Sequence, residues 1–137
     1  MSAGGEPHAT RGWGLDVLER AGTQVRVLLD ADDAVGAANL AEGGAISITG
    51  ADVGTFYSLQ LKGRSAGVVD GSPADDDRCA RYCDAFFAEV AAMDGTPRPL
   101  LERLRPTRLV ACTVAVDHVF DQTPGPTAGT PVDVEAR

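Results

Sequence analysis

Apolar residues recur at every second position in several stretches of this chain, and that period constrains the fold more than any other feature. Val25, Val27 and Leu29 share one side of an extended segment, while Gln24 and Arg26 share the other. Ile46 and Ile48 repeat the pattern, and Tyr57, Leu59 and Leu61 alternate with Ser58, Gln60, Lys62 and Arg64. A period of two places one set on a core face and the other on a polar face, which is a half-buried strand and not a helix. Strands are expected over residues 9–17, 23–29, 45–49, 55–69 and 109–120. Parallel neighbours would need crossover connections of about a dozen residues or more. Most of these segments lack them, so an antiparallel barrel is expected rather than a doubly wound sheet.

Helical signals are fewer. Ser72 is a good N-cap, Pro73 suits the first helical position, and Asp75 completes a capping box with Asp in place of the usual Glu. Cys79, Tyr82, Cys83, Phe86, Phe87, Val90 and Met93 then fall on one stripe until Gly95 closes the helix. Asp30, Asp32 and Asp33 open a shorter Ala-rich stretch that runs to Glu42 and ends at Gly43 and Gly44. One helical turn is expected around residues 100–104, and a turn around residues 20–22. Residues 122–131 are rich in Pro, Gly and Thr and are expected to hold no regular structure.

With 137 residues and 44% apolar content the chain suits one domain with a real core. Aromatic residues make up 5%, so that core must be mostly aliphatic. The net charge of −8 repels phosphate backbones, so no nucleic-acid surface is expected. No run of about 18 apolar residues exists to span a membrane. The first residues, polar and Gly-rich, carry no leader signal, and a cytoplasmic location is expected. The three cysteines, Cys79, Cys83 and Cys112, lack CxxC spacing and read as small buried hydrophobes in a reducing compartment.

No catalytic constellation emerges. Asp117 and His118 are strand neighbours that point to opposite faces, and no nucleophile elbow of the G-x-S-x-G type is present. Asp75, Asp76 and Asp77 lack calcium-loop spacing and read as helix capping, so no metal site is expected. The informative segment is Tyr57-Ser58-Leu59-Gln60-Leu61-Lys62-Gly63-Arg64. Its polar face sets an amide, an ammonium and a guanidinium about 7 Å apart in turn. Such a row suits the carbonyl edge of a heterocycle or a phosphate, and equally a solvated face.

Gln60-Leu61-Lys62-Gly63, the acidic loop and helix that follow, and Asp121-Gln122-Thr123-Pro124-Gly125-Pro126 with Gly129 resemble the pyridoxamine 5'-phosphate oxidase-like superfamily. These are FMN-binding split barrels, and the likeness is to the subgroup of predicted flavin-nucleotide-binding proteins. It runs over residues 6–129. It implies an α+β fold, an antiparallel split β-barrel of five to six strands with two or three flanking helices. The barrel would occupy residues 6–122, short at its N-terminus by a helix and a strand, and residues 123–137 would form a Pro/Gly-rich tail.

The resemblance further implies a homodimer with FMN at the subunit interface and a small-molecule substrate. Arg11, Gly12 and Trp13 would lie along the ring, Gln60 would hydrogen-bond it, and Lys62 would add positive charge near the ring or phosphate. At three positions where the family carries phosphate contacts this chain differs: Asp16, Asp33 and Val35 stand there. The functions that follow are an FMN-dependent oxidoreductase, a module that holds a flavin or deazaflavin without turnover, or a dimerisation barrel without cofactor.

Overall fold

A computed structural model describes residues 6–19, 23–41 and 43–133. The turn expected at residues 20–22 and the end of the Ala-rich stretch at Glu42 lie outside them. In chain order the elements are β1 (Gly12–Val17), β2 (Gln24–Asp30), α1 (Ala34–Asn39), β3 (Ala45–Ala51) and β4 (Ser58–Asp70). There follow α2 (Pro73–Asp94), α3 (Arg98–Glu102), β5 (Leu109–Asp121) and β6 (Thr130–Val132). The strands form one antiparallel sheet in the order β1-β2-β5-β4-β3, with β6 added beside β5. The sheet curls into a half-barrel, so the fold is α+β and split-barrel-like.

The alternation read from the sequence explains the curl. Val25, Val27 and Leu29 of β2 pack with Val110, Cys112 and Val114 of β5 and with Leu40 on the concave side. The intervening residues face outward, and α2 covers part of that convex side. There Leu28 and Ala111 meet Cys79, Cys83 and Phe87 of α2, with Trp13 and Leu101 beside them. One sheet thus separates an aliphatic core on its concave side from a core under α2 that gathers Trp13 and Phe87, with Tyr82 and Phe86 packed against it.

Local chemistry fixes the ends of α2. The Ser72 hydroxyl accepts from the Asp75 N–H, and the Asp75 carboxylate accepts from the Ser72 N–H at 2.8 Å, a reciprocal capping box. Gly95 ends the helix in a left-handed conformation (φ 75°) that a side chain would resist. The helical stripe is buried at Cys79, Cys83 and Phe87, whereas Met93, expected on it, is 56% exposed near the helix end.

β4 departs from the expected strand at its start. Residues 53–55 form a turn, in which the Asp52 carboxylate accepts the N–H groups of Gly54 and Thr55, each at 2.9 Å, and residues 56–57 are irregular. Phe56 takes a positive φ of 61°, which breaks the ladder before Ser58. Further along, the pairing of β4 with β5 slips between Lys62 and Gly63. A Cβ on Gly63 would lie 2.0 Å from the Ala115 carbonyl oxygen, so the bulge requires glycine.

The segment 122–131, expected to be irregular throughout, ends in regular structure. Thr130 and Pro131 belong to β6, where Pro131 pairs with Phe120. Proline is tolerated there because β6 is an edge strand that needs no donor on its outer side. The β5 edge that pairs with β2 over Leu109–Ala115 pairs with β6 over Val119–Asp121. No helix among the described residues is long and apolar enough to cross a membrane.

Candidate functional site

β1 and β3 end the sheet, and each has one strand partner among the described residues. Residues of both free edges line the same two adjoining cavities, so the opening of the half-barrel is a cleft. The larger cavity, about 540 Å³, lies between β2 and β3 under residues 7–10, with Val27, Leu29, Leu40, Ile46 and Ile48 among its apolar lining. The smaller, about 460 Å³, lies between Gly14 and Leu15 of β1, Gly50 of β3 and the start of α2. Gly12, Val27, Ile48 and Thr49 belong to both. Both volumes fall in the range of small-molecule sites, and an apolar trough with a few polar groups is their usual character.

The five residues marked by sequence separate into three places. Gly12 and Gln60 both line the larger cavity, although Gln60 lies two residues from Lys62 on the same face of β4. The Gln60 amide donates to Thr49 Oγ1 at 3.2 Å, and its Oε1 accepts from Gln122 Nε2 at 3.3 Å. A glutamine amide has two N–H donors and two carbonyl lone pairs, so one of each remains for a ligand while the group is held in orientation. Arg11 turns to the α2 side, its guanidinium 5.7 Å from the Trp13 ring and 5.4 Å from the Phe86 ring. Trp13 is buried in the core beneath α2. Lys62 is exposed on the convex face, its ammonium 5.3 Å from the Phe120 ring, on which His118 stacks at 6.1 Å.

Of the three positions where the resemblance implies phosphate contacts, Asp16 and Asp33 are engaged within the chain. Asp16 pairs with Arg78 at 3.1 Å. Asp33 caps α1 by accepting from the Gly36 N–H at 2.9 Å, and His8 Nε2 lies 3.0 Å from its other oxygen. The Gly36 N–H above all, with Thr10 and His8, holds the Asp33 carboxyl well below its ordinary range, at about 2. Val35 is 55% exposed.

Four residues at the cleft were not marked as site residues by sequence. Arg78, Arg81 and Tyr82 of α2 line the smaller cavity. Their spacing of three and four residues places them on one flank of the helix, beside the Cys79 and Cys83 stripe. Two arginines so close together in an acidic chain were the available signal. Asn39, at the end of α1, lines the larger cavity, and its Nδ2 is buried with no hydrogen-bond partner among the described residues.

Nucleophilic thiol chemistry is disfavoured. All three cysteines are buried, and burial pushes the Cys79 thiol up to about 12 and raises Cys83 and Cys112 as well. Among the described residues no three His, Cys, Asp or Glu side chains cluster as a metal would require. Comparison with family models, with curated proteins and with solved structures found no match.

Proposed function

We propose that this chain is a flavin-nucleotide-binding protein whose cleft holds FMN, and that it serves an oxidoreductase reaction on a small molecule. The observation that carries the reading is that Gly12 and Gln60 line one cavity whose walls mix apolar residues with polar groups. The cleft residues fit the group. Apolar walls from Val27, Leu29 and Ile48 suit a flat heterocycle, and Gly12 lets the ring approach the backbone. The remaining donor and lone pair of Gln60 match the alternating carbonyl and N–H edge of an isoalloxazine or deazaflavin. Asn39 Nδ2 adds a donor with no partner among the described residues.

A bound flavin supplies the hydride chemistry, so the chain needs no nucleophile of its own. The protein's share is to bind and orient the ring and to exclude water from it. The family likeness adds a homodimer.

The test is an absorption spectrum of freshly purified protein, mass spectrometry of what denaturation releases, and titration of the stripped protein with FMN. Flavin absorbance or saturable FMN binding supports the reading. A colourless protein that fails to bind added FMN removes it in favour of the cofactor-free barrel. Binding without reduction by NADH or NADPH assigns the chain to the non-catalytic module.

A further inference from the structure

The smaller cavity carries positive charge that the fold does not use. Arg78 is held by the Leu15 carbonyl and by Asp16 at 3.1 Å. Arg81, one turn along the same helix flank, has no hydrogen-bond or ion-pair partner among the described residues. Like charges three positions apart on a helix are mutually unfavourable. Arg81 is exposed beside the cavity, so in this acidic chain its guanidinium stands as a solvated cation that an anion in the cleft can reach. The rest of the cleft offers no such place. The six-residue α1 has its own Asp33 carboxylate on its first N–H groups, and Asp16 already belongs to Arg78.

We propose that Arg81, supported by Arg78, forms the anion subsite of the cleft and takes the phosphate of the ligand whose ring lies toward Gln60. This inference rests on the flavin-nucleotide reading. A guanidinium suits the role because its fixed fork of N–H donors matches two phosphate oxygens at once. Apolar walls nearby, from Leu15, Val27 and Ile48, lower the local dielectric and strengthen the attraction. The two cavities share Gly12 and Thr49, so one elongated ligand can reach from the amide of Gln60 to the guanidinium of Arg81. The cations thus come from α2, on the opposite side of the cleft from α1.

The experiment compares FMN with riboflavin, which lacks only the phosphate, on the wild-type chain and on Arg81→Ala and Arg81→Lys. Binding is read by quenching of flavin fluorescence. The wild type is expected to prefer FMN by about tenfold or more, the worth of one charge-assisted hydrogen bond. Arg81→Ala is expected to erase that preference while leaving riboflavin binding unchanged, and Arg81→Lys to restore part of it. Equal binding of the two flavins by the wild type, or an unchanged preference in Arg81→Ala, overturns the subsite. Inorganic pyrophosphate, measured by calorimetry, separates the two ideas. If neither flavin binds but pyrophosphate does, and Arg81→Ala abolishes it, the flavin reading falls and the anion subsite stands. If pyrophosphate does not bind either, both fall.

Discussion

Arg26 clasps Asp75 through two hydrogen bonds, from Nε to Oδ1 at 3.0 Å and from Nη2 to Oδ2 at 2.7 Å. One partner comes from the convex side of β2 and the other from the first turn of α2, so the pair joins helix to sheet. The same carboxylate closes the capping box on Ser72. Asp75 is 5% exposed and therefore depends on its partners to remain charged.

Removing Arg26 leaves that carboxylate desolvated. Arg26→Ala is expected to cost about 2 kcal/mol, below the 3–5 of a fully buried pair because part of the arginine is solvated. Equilibrium denaturation by urea measures it, and a loss under about 0.5 kcal/mol would show the clasp to be idle.

The same pair sets a pH dependence. Arg26 first, then the Ser72 N–H and hydroxyl, hold the Asp75 carboxyl at about 2, below its ordinary 3.8. A depressed carboxyl contributes stability above its unfolded value and loses it as pH falls toward the folded one. Wild-type stability should therefore drop between about pH 4 and pH 2. Asp33, held at about 2 by Gly36, Thr10 and His8, adds to the drop. Asp75→Asn should flatten the part of the profile that Asp75 supplies. An identical profile in that variant would assign the effect elsewhere.

Two glycines separate backbone need from open space. At Gly63 a Cβ would press on the Ala115 carbonyl at 2.0 Å, whereas at Gly50 nothing lies within 4 Å. Gly63→Ala is expected to cost about 3 kcal/mol or more, because the obstacle is backbone and not a flexible side chain. Gly50→Ala should stay within about 1 kcal/mol. Thermal melts of the two variants compare them directly, and equal melting temperatures would refute the bulge geometry.

The thiols should be inert until the chain opens. Cys79, Cys83 and Cys112 are buried and protonated at neutral pH, so a thiol reagent such as DTNB should find none in native protein at pH 7.5. All three should react in denaturant. Rapid native labelling of any one would show that its core opens locally.

Gln60→Ala tests the ring end of the cleft. It removes the anchored amide while Thr49 and Gln122 stay in place. FMN affinity should fall about tenfold, with a shifted flavin spectrum. An unchanged spectrum and affinity would release Gln60 from that role.

Much of the architecture was legible in the residues. The alternation in β2, β3 and β4, the Ser72 cap with Pro73 and Asp75, and the stripe through Cys83 and Phe87 are local signals that tertiary packing reinforced. The start of β4 was not legible, because Thr55, Phe56 and Tyr57 suit a strand by type. The Asp52 side chain bends the backbone there through bonds that no period reveals. β6 was hidden because Pro131 argues against a strand, and only the free edge of β5 makes it one.

The site divided along the same line. A local pattern of apolar and polar residues determined which faces of each strand are buried, since solvent exclusion acts residue by residue along the chain. The polar row of β4 marked Gln60 as chemically apt, and Gly12 came in only through the family resemblance. Only the curl of the sheet decided that these two share a cavity, that Trp13 and Arg11 go to the helix side, and that Arg78 and Arg81 arrive at the cleft. Those placements depend on contacts between residues distant in the chain, which exist only once β1 and β3 have been brought face to face.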